Sequence, residues 1–275
     1  MRKLILAATG LAAALVSMCG LGCGGSQKTT VSVIGSTSIQ PFAEMLAEDF
    51  NKKNPDVYVE VQGGGSTAGI QAVTSGIADI GTCSRDLKPE ETGFSTLTIA
   101  RDGVAVVVHL TNPVANLTRE QVKDLFSGRA SNWKDVGGQD QPVRLITREE
   151  GSGTREAFTH LVMGKTRIAS SAMTQPSNGA VKELVRHDPN AIGFMSLGLV
   201  GKELKAVSVD GVAPSTETVL SGKYPLVRPF LFVMKGEPST SLGPGPGEAA
   251  KRFIDFVLSP TGQEIVETEG LVRAK

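Results

Sequence analysis

Three turns rich in glycine and hydroxyl side chains carry the chemistry this sequence could do. They are Gly35-Ser36-Thr37-Ser38, Gly63-Gly64-Gly65-Ser66-Thr67 and Arg148-Glu149-Glu150-Gly151-Ser152-Gly153-Thr154. Each follows a short apolar run and precedes a helix-periodic segment. The first backbone N–H groups of a helix have no intrahelical acceptor, and the helix dipole adds partial positive charge there. Such a turn is therefore an anion site. Glycine lets the backbone come close to a ligand. The same serines and threonines are also ordinary N-caps, worth ~1 kcal/mol each, and one turn alone reads that way first. Three together are harder to read as caps, because Arg148 stands four residues before Ser152. An arginine offers a tetrahedral oxyanion a permanent, bidentate charge.

The segments that position these turns alternate strand and helix. Val31 to Ile34 is a short apolar strand. From Pro41 a helix is predicted with Phe42, Met45, Leu46 and Phe50 on one face, stopped at Asn54-Pro55. Val57, Val59 and Val61 alternate with polar residues as in a half-buried strand. A second helix follows with Ile70, Val73 and Ile77 inward, and a strand starts at Asp79. Val104 to Leu110 suits a strand buried on both faces. Thr118 and Gln121 form a capping box ahead of Val122, Leu125 and Phe126. Strands are predicted at Val143–Ile146 and Leu226–Met234, and helices over Thr154–Met163 and around Ala250, Phe253, Ile254 and Val257. The order argues for α/β lobes with mainly parallel sheets, whose ligands sit at the carboxyl ends of strands.

The N-terminus reads as an address. Met1-Arg2-Lys3 is basic, and Leu4 to Val16 is apolar but shorter than the about 20 residues of a membrane span. Small residues then lead to Cys19 and Cys23. Cys23, preceded by Gly22, fits a lipidated mature N-terminus better than Cys19, although Gly20 stands where such motifs usually carry Leu. Plain signal-peptidase cleavage nearby is the alternative. Residues 1–22 are then signal and 23–30 a flexible tether. Removing Arg2 and Lys3 leaves 26 basic residues against 28 acidic.

Composition narrows the classes. The 275 residues are 40% hydrophobic and 20% charged, with 28 basic and 28 acidic side chains, so no global field favours nucleic acid. Three cysteines make no disulfide framework. His109, His160 and His187 lack metal-ligand spacing. Ser66 and Ser152 invite a secreted serine phosphatase or esterase, but neither lies in a Gly-x-Ser-x-Gly elbow. Gly164-Lys165-Thr166 imitates the end of a P-loop without its first glycine.

The three turns, with Asp79-Ile80-Gly81-Thr82-Cys83-Ser84-Arg85, Asn132-Trp133, Gly193-Phe194 and Tyr224-Pro225-Leu226-Val227-Arg228-Pro229, resemble the periplasmic phosphate-binding proteins of phosphate ABC transporters. The likeness runs from about Val31 to the C-terminus, and the Arg-x-x-Gly-Ser-Gly-Thr segment is its most specific part. It implies a two-lobed, type 2 periplasmic-binding-protein fold. Each lobe would be a mixed, mainly parallel sheet flanked by helices, and two crossover strands would form the hinge. The expected bounds are 31–104 with 227–275 for one lobe and 105–226 for the other. It implies capture of inorganic phosphate, delivery to a membrane permease, no chemical turnover and no cofactor or metal. The protein would be a monomer in the periplasm or at the cell surface, touching the membrane only through its lipid anchor. The candidate phosphate-binding residues are Ser36, Thr37, Ser38, Ser66, Thr67, Ser84, Arg148, Ser152, Gly153 and Thr154. One departure stands out. Longer members place a carboxylate, which accepts the phosphate proton, where this chain has Ser84. Glu150 and Asp102 are the candidate replacements, and sulfate or another tetrahedral oxyanion is the alternative ligand.

Overall fold

The computed structural model describes residues 28–236 and 246–274. The signal segment, Cys19 and Cys23 lie outside the described residues. Strand β1 (Thr29–Gly35) begins inside the stretch assigned to the tether, its Thr29 N–H donating to Asp56 O at 2.9 Å. Then follow α1 (Gln40–Lys53), β2 (Val57–Gly63), α2 (Ser66–Thr74), β3 (Ile80–Cys83) and the 16-residue β4 (Phe94–His109). The middle of the chain holds β5 (Asn116–Leu117), α3 (Arg119–Ser127), β6 (Arg144–Arg148), α4 (Gly153–Phe158), β7 (Met173–Gln175), α5 (Asn178–His187) and β8 (Ala191–Ser196). After them come β9 (Leu204–Ala206), β10 (Ser208–Val209), α6 (Thr216–Leu220), β11 (Val227–Lys235), α7 (Pro246–Leu258), α8 (Pro260–Thr268) and β12 (Val272–Arg273).

One curled sheet runs β2-β1-β3-β11-β4-β8-β6-β7. Its two flanks are parallel, β1 with β2 and β3, and β6 with β7 and β8. The antiparallel pairings come from β11 and β4, the strands that join the flanks. Among the described residues, the two largest hydrophobic cores hang on this sheet. The first gathers Val31, Val33, Phe42, Leu46, Phe50, Phe230, Phe232 and Phe253; the second gathers Val104, Val106, Val108, Phe126, Trp133, Phe158 and Phe194. β4 passes from one to the other, giving Ile99 and Ala100 to the first core and Val104, Val106 and Val108 to the second.

The periodicities explain most of these elements. α1 buries Phe42, Leu46 and Phe50, and its end is closed by Asn54, whose Nδ2 donates to Phe50 O at 2.9 Å. The capping box at Thr118 and Gln121 is formed and starts α3 over Val122, Leu125 and Phe126. Two expectations change. α2 stops at Thr74 with Gly76 at φ 74°, so Ile77 is exposed instead of buried. The helix expected over Thr154–Met163 is α4 continued by a π-helical turn, Thr159–Met163. Phe158 stacks on Phe194 of β8 with centroids 4.1 Å apart, and Phe126 meets it edge-on at 4.8 Å. Such contacts add about 0.5–1.5 kcal/mol per pair beyond area burial and fix the helix that carries the third turn. Trp133 anchors within the second core, its Nε1 donating to Asn190 O at 3.0 Å. Among the described residues no helix is long and apolar enough to cross a membrane.

Candidate functional site

The three turns converge. β1 and β2 end beside one another, with Gly35 paired to Gly63, and Gly64 and Gly65 donate to Gly35 O at 2.8 and 2.9 Å. Gly35 has φ 147°, and a Cβ on it would overlap the carbonyl of Thr82 on β3, so only glycine fits that close approach. The third turn closes on the first two from the second core: Thr67 N–H donates to Gly151 O at 3.1 Å, and Ser38 Oγ lies 2.7 Å from Thr154 Oγ1. A Cβ on Gly153 would overlap Ser66 Oγ and stand 2.6 Å from Ser84 Oγ.

The hydroxyls of the first two turns are not helix caps. The N-caps of α1 and α2 are Ile39 and Gly65, and neither makes a side-chain capping bond. Ser36, Ser38, Ser66 and Ser84 are buried; Ser36, Ser66 and Ser84 bond to one another, and Ser38 Oγ meets Thr154, Asn178 and Arg228. Ser36 Oγ donates to Ser84 Oγ at 2.9 Å, and Ser66 Oγ accepts from Ser84 N–H at 3.1 Å. Ser152 alone caps its helix, accepting from Arg155 N–H at 3.3 Å. The first-turn N–H groups of Gly153 and Thr154 have no intrahelical carbonyl to reach.

Arg148, at the end of β6, is 1% exposed. Its Nε donates to Glu149 Oε2 at 3.0 Å and Gln175 O at 3.1 Å, and its Nη2 to Glu149 Oε1 at 2.8 Å and Thr37 Oγ1 at 3.1 Å. Its Nη1, buried, has no partner among the described residues. A buried guanidinium nitrogen without an acceptor is costly, and a ligand oxyanion supplies what it lacks.

The structure also draws in Arg228 and Asn178, neither of them among the candidate site residues. Arg228 on β11 is buried, with Nη1 donating to Thr154 Oγ1 at 2.8 Å and to Ser84 Oγ at 3.3 Å, and Nη2 donating to Ser38 Oγ at 3.1 Å. Asn178, the first residue of α5, donates from Nδ2 to Ser38 Oγ at 2.9 Å and Thr37 Oγ1 at 3.4 Å, while its Oδ1 accepts from Ser196 N–H at 3.0 Å. The Tyr-Pro-Leu-Val-Arg-Pro motif pointed at Arg228; nothing around Asn178 marked it.

Both candidate carboxylates fall elsewhere. Glu150 is exposed, and the carboxylate on Arg148 is its neighbour Glu149. The cause is local geometry: Gly151 turns the chain at φ 86°, leaving Glu149 beside the end of β6 and Glu150 outward. Asp102 is buried, but Arg228 separates it from the hydroxyls, with Nε and Nη2 at 3.0 and 2.8 Å from Oδ2. Burial pushes its carboxyl up, against the pull of Arg228. Thr67 stands apart from the hydroxyl group, near the buried Arg85 and the half-buried Glu156, which form an ion pair beside Glu91 and Lys88. This pairing lines a cleft of about 1150 Å³ that also borders Gly151, Val227 and Arg228.

The chain is also similar to known proteins. Residues 24–261 match the family model described as a PBP superfamily domain. The phosphate-binding protein PstS of Bacillus subtilis (strain 168) is 32% identical over 246 residues, covering 87% of this chain and 79% of that one. The chain belongs to the PBP superfamily, among the PstS phosphate-binding proteins. Its fold matches a putative phosphate ABC transporter substrate-binding protein with bound phosphate from Clostridium perfringens, with TM-score 0.84 and 42% identity over 90% of this chain and all of that one. An ABC-type phosphate transport receptor from Vibrio cholerae matches with TM-score 0.74 and 38% identity, covering 88% of this chain and 99% of that one. The type 2, two-lobed α/β architecture expected from the sequence is the fold of this PstS family.

In this PstS family member, Ser66 and Ser152 have no base among their hydrogen-bond partners in the described residues, which are backbone N–H groups and, for Ser66, the Ser84 hydroxyl. A serine nucleophile needs a base within hydrogen-bond reach. Cys83 is buried, its Sγ 3.3 Å from Arg85 O, and burial pushes its thiol up, away from the reactive thiolate.

Proposed function

We propose that this protein captures inorganic phosphate between two lobes and delivers it to an ABC-type importer, without chemical turnover. The observation that carries the reading is the unpartnered Nη1 of the buried Arg148, set beside hydroxyls from the first turn and the start of α4. The names of the PstS relatives and the bound phosphate of the Clostridium perfringens neighbour support phosphate as the ligand.

The lobes are 31–104 with 227–275 and 105–226, and the two strands shared by the cores, β4 and β11, serve as the hinge. Thr37, Ser38, Arg148, Ser152, Gly153 and Thr154 hold the anion, with Ser36, Ser66 and Ser84 behind them. Closure excludes water, which strengthens each charge-assisted hydrogen bond. The receptor works as a monomer outside the cytoplasmic membrane, tethered through lipidated Cys23, with a membrane permease as its partner.

Sulfate or another tetrahedral oxyanion is the second reading. It is favoured by one observation: the position beside Ser36 and Ser66 carries the Ser84 hydroxyl and no carboxylate. Calorimetry of protein stripped of bound anion separates the readings. One-to-one phosphate binding with a weak sulfate response supports the first, and equal sulfate binding supports the second. Steady release of product from a chromogenic phosphate ester would contradict both.

A further inference from the structure

We propose that Arg228 is a positioning residue that forces the site's hydroxyls to act as donors, so that the protein takes phosphate as its dianion in preference to the monoanion. The proposal rests on the phosphate reading above. A hydroxyl oxygen has one proton to give and two positions at which to accept. Ser38 Oγ accepts from Asn178 Nδ2 at 2.9 Å and from Arg228 Nη2 at 3.1 Å, which fills both. Ser84 Oγ accepts from Ser36 Oγ at 2.9 Å and Arg228 Nη1 at 3.3 Å. Thr37 Oγ1 accepts from Arg148 Nη2 at 3.1 Å and Asn178 Nδ2 at 3.4 Å. Thr154 Oγ1 accepts from Arg228 Nη1 at 2.8 Å and lies 2.7 Å from Ser38 Oγ. With those positions filled, Ser38 gives its proton to Thr154 Oγ1 and Ser84 directs its own at Ser66 Oγ, 3.4 Å away, so Thr37 and Thr154 keep protons for an anion and none of the four has room to accept one.

Asp102 holds the guanidinium that does this. Arg228 and Asp102 are register partners on antiparallel β11 and β4, and both Nε and Nη2 donate to Asp102 Oδ2. Among the hydroxyls assigned to the anion, acceptor capacity survives at Ser152 Oγ, which takes one backbone N–H; Ser66 Oγ takes both the Ser84 N–H and, at 3.4 Å, the Ser84 hydroxyl, and Ser36 Oγ, behind them, takes Ser38 N–H and donates to Ser84. A P–OH group facing a donor is an unsatisfied buried donor itself, at ~1–3 kcal/mol each. The dianion brings one such proton and can place it on Ser152. The monoanion brings two, into a site that also offers the positive charge of Arg148. Affinity for total phosphate therefore rises with pH as the monoanion gives way to the dianion.

The charged and titratable groups facing Arg228 are Asp102 on β4, Arg148 at the end of β6 and the Cys83 thiol on β3. Glu150, Arg155, Glu156 and His160 line the cleft beside it. The test is calorimetric titration of the full-length mature protein with inorganic phosphate at about pH 6, 7 and 8. It is repeated in His160→Gln to remove the histidine and in Asp102→Asn/Arg228→Gln, which removes the guanidinium without stranding a carboxylate. We expect the wild-type and His160→Gln affinities to rise about fivefold or more across the series. In the double variant, whose hydroxyls regain acceptor positions, the rise should shrink to about twofold or less. Arg228→Lys, which keeps a charge opposite Asp102 but reaches fewer hydroxyls, should give an intermediate slope and serves if the double variant does not fold. A flat wild-type profile, or a variant that loses affinity equally at every pH, overturns the proposal. Absence of wild-type phosphate binding at all three pH values would instead overturn the phosphate reading.

Discussion

Arg148 and Arg228 are both buried and each is paired with one carboxylate, Glu149 and Asp102, yet their remaining N–H groups meet different things. Arg228 comes from a strand shared by the two cores and directs its nitrogens at Ser38, Ser84 and Thr154. Arg148 comes from the end of β6 beside the third turn and keeps Nη1 without a partner. Burial and charge alone do not separate a ligand group from a positioning group. The unmet hydrogen bond does. It marks Arg148 as the side chain that gains most from an incoming anion, and Arg228 as one that arranges the hydroxyls around it.

The sharpest way to break that contrast is to shorten each arginine to lysine. Arg148→Lys removes the fork that meets Thr37, Glu149 and the anion at once, and phosphate affinity should fall by about a hundredfold or more, ~3 kcal/mol. Arg228→Lys should cost about tenfold at neutral pH, since it disturbs hydroxyls without removing a ligand contact. Equal losses in calorimetry would erase the distinction. Gly153→Ala should weaken binding by roughly tenfold, because its Cβ would push Ser66 and Ser84 away from the start of α4. Retained affinity there would mean that the close approach of the two sides is dispensable.

Smaller effects sharpen the picture. Glu149→Gln, which loosens the brace on Arg148, should reduce phosphate affinity by about fivefold, while Glu150→Gln should leave it within about twofold. The reverse order would restore Glu150 as the partner. Last, burial pushes both the Cys83 thiol and the Tyr224 phenol up, the latter beside Asp102. Their native pKa values exceed the unfolded ones, so the native state holds more protons once pH passes about 8.5, the ordinary thiol value, and again past about 10 for the phenol. Stability to urea should therefore be level below that range and fall as pH rises through it. An alkaline profile that rises would contradict the burial of these groups.

How far the sequence could be read depended on whether a signal was local. The alternation of Val57 and Val59, the Phe42/Leu46/Phe50 face and the Thr118 capping box are local patterns, and each produced the expected element. The three turns were legible because glycines and hydroxyls at a strand end state their own geometry. Ile77 misled because its spacing continued a helix that a turn through Gly76 ends. Asn178 was illegible for a different reason: it starts a helix 140 residues away in sequence from Ser38, and only the closing of the two sides brings them to 2.9 Å. Glu149 and Glu150 are adjacent, so which one meets Arg148 depends on a single backbone turn that composition does not encode.

The most direct test of the central claim is the crystal structure of the protein saturated with phosphate. One phosphate is expected, with Arg148 Nη1 and the N–H groups of Gly153 and Thr154 within hydrogen-bond distance of its oxygens, and Arg228 still bonded to Ser38, Ser84 and Thr154. A phosphate held by Arg228 with Arg148 Nη1 still unpartnered, or one lodged away from the three turns, would contradict it.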